Sequence, residues 1–250
     1  MEKITAFIPA RGGSTGVLKK NIRLLHGKPL ILHTLDFAKS SEVFSKIIVS
    51  TDDSEISTVA SYGKLSREQF LQAPEGAYLT VGSEFYIHKR PANQAQTLSP
   101  IREVLFDMAL QEDSILDSEL LMMLQPTSPF RRHEELYEIK TIIKRQHDFT
   151  SIVSVTSVGG QHPDRMYRVE SQCLRPYLDQ QNLDNKPRQL LEELFIKDGA
   201  YYLLKRSVLR ERILLGEHMV PLFRSGLCTI NIDTLTDFKM AELIVDPYSK

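Results

Sequence analysis

Apolar residues fall in short runs divided by polar and glycine- or proline-bearing stretches, and the two periods of that pattern alternate along the chain. Ile4 to Ile8 is an unbroken apolar run ending at Pro9, which predicts a buried strand feeding a loop. From Pro29 to Lys39 the apolar positions are 30, 31, 35, 37 and 38, a helical spacing with proline at the first turn. Lys46 to Ser50 predicts a second buried strand. Asp52 to Glu55 then opens a helix, with Asp52 and Glu55 at capping-box spacing. Further on, the pattern predicts helices at Pro100–Leu110, His133–Gln146, Ser207–Leu215 and Leu235–Ile244. It predicts strands at Glu119–Leu124, Ser151–Val155, Ala200–Leu204 and Cys228–Ile232. Strand and helix in alternation indicate an α/β protein with a mainly parallel sheet. Residues 62–89 read as an irregular insertion, and residues 157–198, polar and basic, as an excursion from the core.

Composition narrows the functional classes. The 250 residues carry 31 Lys+Arg against 32 Asp+Glu, a formal charge of −1. That balance lacks the basic surplus that grips nucleic acid through bulk electrostatics. It leaves room for a local basic pocket. No apolar run approaches the roughly 18 residues of a membrane span, and the first residues show no export signal. Cys173 and Cys228 have no metal-motif spacing and read as two reduced thiols. A cytoplasmic protein with no membrane and no nucleic-acid partner is expected.

The most informative segment runs from Arg11 through Gly12, Gly13, Ser14, Thr15 and Gly16 to Lys19, Lys20 and Asn21. It follows the first strand, and ligands of open α/β sheets sit beyond the carboxyl ends of strands. Glycines let backbone N–H groups turn toward an anion, and Arg11 and Lys20 would add charged donors. A glycine-rich turn with solvated charges is the plainer alternative. Gln125-Pro126-Thr127-Ser128-Pro129 is either a strand-ending turn or part of a site. Asp233 either caps the last helix or ligates a metal. For Asp52 and Asp53 helix capping is the more economical reading than a metal site. His133-Glu134-Glu135 reads as a solvated first helical turn, and Arg131-Arg132 as surface.

Together these residues resemble the acylneuraminate cytidylyltransferases, the CMP-sialic acid synthetases. The resemblance rests on the segment from Phe7 to Gly16 with Lys20-Asn21, on Val49 to Asp53, Arg90-Pro91-Ala92 and Leu124 to Arg131, and then on His162-Pro163, Arg188-Gln189, Asp198-Gly199-Ala200 and Ile232-Asp233-Thr234 with Asp237-Phe238. These matches occur in the family's order and span nearly the whole chain.

The resemblance implies a Rossmann-like nucleotidyltransferase fold over residues 1–250, with helices on both sheet faces. Residues 157–198 would be a small dimerisation lobe of a homodimer. It implies joining of CMP from CTP to an acidic nine-carbon α-keto sugar, with release of pyrophosphate and with Mg²⁺ as cofactor. Arg11, Gly12, Gly13, Ser14, Thr15, Gly16, Lys20 and Asn21 would hold the triphosphate, and Arg90 would border the base. Gln125, Thr127, Ser128, Arg188, Gln189 and Asp198 would contact the sugar. Asp233, with Asn231 beside it, would take the metal.

The chain departs from the family at several places. Thr15 stands for lysine, Leu18 for proline, Asn231 for aspartate and Asp198 for asparagine. Thr97 stands about where an aspartate is usual, and the connection across 62–89 is longer. A different sugar acid, another nucleoside triphosphate with a sugar phosphate, or impaired catalysis would each accommodate such changes.

Overall fold

A computed structural model describes residues 3–14, 16–96, 99–111, 114–116, 118–178 and 187–245. The strands in chain order are β1 (Ile4–Pro9), β2 (Leu24–Leu25), β3 (Lys28–Pro29), β4 (Phe44–Thr51), β5 (Tyr78–Gly82) and β6 (Phe85–Lys89). They continue with β7 (Leu120–Met123), β8 (Ser151–Ser157), β9 (Tyr167–Glu170), β10 (Cys173–Pro176), β11 (Phe195–Lys205) and β12 (Met219–Phe223). The helices are α1 (Leu30–Ser40), α2 (Ser54–Ala60), α3 (Arg67–Gln72), α4 (Ile101–Leu110), α5 (His133–Arg145), α6 (Arg206–Arg210) and α7 (Leu235–Leu243).

Eight strands form one sheet in the order β12-β8-β11-β7-β1-β4-β6-β5. The centre is parallel, β1 pairing with β7 on one side and β4 on the other. Strand β11 runs antiparallel to both β7 and β8, and β5 antiparallel to β6. Chain order turns outward from β1 to β4 and β6, then returns to β7 across β1. That reversal opens a crevice at the carboxyl ends of the central strands.

Both faces of the central strands are apolar because both are covered. Ile4, Ala6 and Ile8 of β1 join Ile31 and Leu35 of α1, Ile56 of α2 and Leu136 of α5 in one cluster. Phe7, Ile48, Leu121 and Met123 face the other side, against Val104, Leu105 and Met108 of α4. A third cluster joins Val17, Leu25, Phe130, Cys228, Ile232 and Phe238, so that α7 packs beneath the loops at the crevice. Among the described residues no helix is long and apolar enough to cross a membrane, and both cysteines are free thiols.

Several expectations are corrected. Residues 62–89 are built into the sheet: α3 carries a capping box from Ser66 to Gln69, β6 pairs with β4, and β5 forms the edge. Their mixed pattern comes from an edge position, where one strand has a single neighbour. Cys228–Ile232 is not a strand. Leu227–Thr229 is a 3-10 turn, and Ile232 makes a backbone bond to Thr127 across the crevice. The last strand is β12, disguised by Pro221. It pairs only with β8, an edge position that tolerates proline. Helix α6 stops at Arg210, followed by Arg212 in the left-handed region. Between β8 and β11 the described residues, 158–178 and 187–194, lie outside the eight-stranded sheet and carry the exposed hairpin β9–β10.

Candidate active site

Four strand ends supply the crevice. Arg11 follows β1, Asp52 follows β4, Arg90 follows β6, and Gln125 follows β7. The cleft between them has a volume of about 540 Å³, within the range of small-molecule sites. Arg11, Ser14, Gly16, Lys20, Asn21, Arg90, Gln125, Thr127, Asn231 and Asp233 line it. Residues over 200 positions apart in sequence thus meet: Lys20 Nζ donates to the Ile232 carbonyl at 2.8 Å and to Asp233 Oδ1 at 3.2 Å.

The charge of this surface is positive. Arg11, Lys20 and Arg90 face one carboxylate, Asp233. Arg90 is buried, and burial lowers its pKa to about 10; Asp52 opposes that shift and Arg11 adds to it. It therefore remains a cation at neutral pH. Lys19 pairs with Glu55 at 2.6 Å and is not part of the cleft lining.

Close packing accounts for two of the glycines in the loop. Neither Gly12, Gly13 nor Gly16 has positive φ. Gly12 lies against Asp53, where a Cβ would sit 2.7 Å from Oδ2, and Gly16 lies against Asp233, where a Cβ would sit 2.2 Å from the carbonyl oxygen. Close approach, not handedness, requires glycine at both positions. The Gly12 N–H donates to Asp52 Oδ1 at 3.0 Å. Asp52 is thus a brace for the loop, not the helix cap. The cap of α2 is Asp53, which accepts from Glu55 N and Ile56 N. Asn21 also braces the loop, its Nδ2 donating to the Arg11 carbonyl at 2.9 Å.

On the expected sugar side, Gln125 and Thr127 line the cleft, whereas Ser128 and Asp198 lie beneath it. Ser128 Oγ donates to the Asp198 carbonyl at 2.9 Å. The Asp198 carboxylate accepts from Arg224 Nη1 and Ser154 Oγ, both at 2.5 Å, and from Ala200 N. Its charge is neutralised internally, so it is not offered to a ligand. Gln189 is exposed and outside the cleft lining. Thr15, Thr97 and the Arg188 side chain lie outside the described residues.

Arg224 had no signal in the sequence. It is fully buried, and besides Asp198 it donates to Glu135 Oε1 at 2.7 Å and to the carbonyls of Phe130 and Cys228. One guanidinium thereby joins the loop after β7, the loop before Asn231, and β11. Burial alone would lower its pKa, but Glu135 and Asp198 outweigh that and raise it. Two surface readings fail with it. Glu135 is buried and also accepts from Tyr201 Oη at 2.7 Å. Arg131 is buried and donates to Ala200 O, Thr34 Oγ1 and Gln125 O.

Whether these residues suit a divalent cation depends on Asp233. Its side chain is 65 % exposed. The Asn231 Nδ2 donates to its Oδ2 at 2.8 Å, so Asn231 turns a donor, not an acceptor, toward that carboxylate. Among the described residues no three His, Cys, Asp or Glu side chains gather around a metal position. The set fits an ion such as Mg²⁺ that takes one carboxylate and completes its shell from phosphate and water. It does not fit an all-protein cage.

The chain matches known proteins. Residues 5–66 match the family model described as cytidylyltransferase. An N-acylneuraminate cytidylyltransferase of Escherichia coli O18:K1:H7 (strain RS218 / NMEC) is 28% identical over 96% of this chain, which spans 51% of that relative's length. A CMP-N,N'-diacetyllegionaminic acid synthase of Legionella pneumophila is 30% identical over 98% of this chain and 97% of the relative. Among solved structures, a CMP:2-keto-3-deoxy-manno-octonic acid synthetase complexed with CTP shares the fold, with a TM-score of 0.62 at 14% identity over 97% of this chain and 98% of that one. The near-complete alignment with the Legionella relative joins the β1 loop to the Asp233 segment in one matched sequence, and the chain belongs to the acylneuraminate cytidylyltransferase family.

Proposed function

We propose that this chain is a nucleotidyltransferase that transfers CMP from CTP to the anomeric hydroxyl of an acidic nine-carbon α-keto sugar, releasing pyrophosphate. The observation that carries the reading is the meeting of Arg11, Lys20 and Arg90 with Asp233 in one cleft at the sheet's reversal point. A net positive cleft on a chain of charge −1 suits a triphosphate and a carboxylate sugar.

In this reading Arg11 and Lys20 hold the phosphates through charge-assisted hydrogen bonds. Arg90, fixed at the end of β6, meets the base. Gln125 and Thr127 orient the sugar so that its hydroxyl attacks the α-phosphorus while the bond to pyrophosphate breaks. Positioning and charge neutralisation supply the acceleration. Mg²⁺ held by Asp233 and phosphate oxygens would neutralise the charge that develops on the triphosphate. Lys20, already at Asp233, exchanges one carboxylate contact for phosphate as the ligand enters.

A homodimer belongs to the same proposal. Val169 and Leu174 on the β9–β10 hairpin are 73% and 67% exposed. Phe195 of β11 and Phe223 of β12 form an exposed edge-to-face pair in the sheet. Such apolar surface suits a partner, and the second copy would bring its hairpin to the neighbouring cleft. The reaction is placed in the cytoplasm, where CTP is available.

The test is a matrix of nucleoside triphosphates against nine-carbon sugar acids with Mg²⁺, read by pyrophosphate release and product mass. CTP-selective formation of a CMP-sugar is expected. Absence of CTP-dependent release with every sugar acid would overturn the proposal.

A further inference from the structure

Behind Arg90 lies a buried polar chain to which neither catalysis nor binding has yet given a role. The parallel register of β4 and β6 sets Ser50 opposite His88. Arg90 follows two residues later, so its side chain returns over the same serine. Arg90 Nε donates to Ser50 Oγ at 3.1 Å, and Arg90 Nη2 donates to the Ser50 carbonyl at 2.9 Å. Ser50 Oγ lies 3.0 Å from His88 Nδ1. All three residues are buried.

A guanidinium only donates, so Ser50 Oγ accepts from Arg90. The serine hydroxyl keeps its proton for a second partner, and His88 Nδ1 receives it in the tautomer protonated on Nε2. Burial, with the Arg90 charge adding to it, holds the His88 pKa down to about 4, so the ring is neutral at working pH. The Tyr78 ring stacks on His88 at 4.8 Å, and its hydroxyl donates to Gln111 Oε1 at 2.8 Å. The imidazole is thus held in place from the sheet edge.

We propose that His88, acting through Ser50, is a positioning residue that sets the guanidinium plane of Arg90 and thereby the preference of the cleft for cytosine over uracil. The inference rests on the reading that Arg90 meets the base. With one edge spent on Ser50, Arg90 presents its remaining N–H groups to the cleft as fixed donors. Cytosine offers two acceptors side by side, O2 and N3, whereas uracil carries a proton on N3. A guanidinium free to swing would adapt to either base. One locked in plane favours the base with paired acceptors.

The experiment compares wild type with His88→Phe, His88→Asn and Ser50→Ala. CTP and UTP binding are measured by calorimetry, and KM and kcat with CTP by product formation. His88→Phe and Ser50→Ala are expected to weaken CTP binding about 10-fold, as for a lost directional hydrogen bond. UTP binding and kcat at saturating CTP should stay within about 2-fold. His88→Asn, whose amide oxygen can accept from Ser50, should restore most of the CTP preference. Unchanged CTP preference in the Phe and Ala variants, or equal loss for both nucleotides, overturns the inference. Failure of the Asn variant to restore what Phe loses also overturns it. Should His88→Phe not fold, Ser50→Ala decides. Wild type that binds neither nucleotide removes the base reading itself, and the inference falls with it. Wild type that binds CTP beside variants that bind it equally removes only the inference.

Discussion

Lys20 is held at the cleft by two bonds of different kinds, one to a carbonyl and one to Asp233. Its ammonium is the charge nearest the carboxylate expected to meet the metal. Lys20→Met should lower kcat/KM for CTP by roughly 10- to 100-fold, the value of a charged hydrogen bond, with little change in melting temperature. Steady-state kinetics beside a thermal melt check this. Asp233→Ala should abolish the Mg²⁺ dependence of turnover; unchanged dependence would remove the assignment. Arg224 behaves oppositely. Arg224→Met leaves Glu135 and Asp198 buried without their cation, so a loss of about 3–5 kcal/mol is expected, read by denaturant unfolding. Residue identity alone was a poor guide here. Asp233 and Lys20 were legible because their motif neighbours are distinctive. Arg224, isolated among apolar and turn residues, offered no pattern, and its partners lie 26 and 89 positions away.

At the level of elements, the loop after β1 depends on two close approaches. Gly16→Ala would drive a methyl into the Asp233 carbonyl. The expected outcome is at least a 10-fold loss of kcat/KM with smaller loss of stability, since the loop can shift outward but then misplaces Lys20 and Ser14. Kinetics and a thermal melt separate the two effects. Strand β6 carries a pH signature. His88, neutral in the fold at pKa about 4, regains its ordinary value near 6.5 on unfolding. The unfolded state therefore binds more protons between those values, and stability falls as pH drops from about 6.5 toward 4. His33, lowered by burial beneath the β2–β3 hairpin, acts in the same direction. Melting temperature should decline across that window, and His88→Asn should flatten the decline. The apolar runs of β1, β4, β7 and β8 announced themselves because both sheet faces are covered. Tyr78–Gly82 did not, since an edge strand mixes polar and aromatic residues, and Phe85–Lys89 beside it carries His88 and Lys89 among its apolar positions. Cys228–Ile232 misled because its β-branched residues serve to anchor a loop over the cleft, not to extend the sheet.

For the molecule as a whole, the near-zero net charge conceals a separation. In the cleft Arg11, Lys20 and Arg90 outnumber the lining carboxylate, Asp233. A steep salt dependence of KM for CTP is expected, weakening binding as ionic strength rises. An uncharged substrate contact would not show it. The proposed homodimer is tested at its hairpin. If it forms through β9–β10, Leu174→Lys with Val169→Glu should shift sedimentation from dimer toward monomer and leave the secondary structure intact. The mainly parallel sheet was predictable from the alternation of strand and helix, but its order, with the reversal at β1, was not. The antiparallel entry of β11 was not, because short-range pattern carries no direction.

The Asp198–Arg224 pair also constrains how this sequence could have arisen. By the resemblance read in the sequence Asp198 stands for an asparagine, and it is tolerated here because a cation reaches it inside the fold. An ancestor acquiring Asp198 without Arg224 would have carried a carboxylate unpaired in the core, at a cost comparable to much of a domain's stability, whereas Arg224 alone would still have met Glu135. The dependence is therefore one-sided, and the arginine had to come first. Transplanting Asp198 into a relative that has asparagine there and no such arginine should impair its folding until the arginine follows.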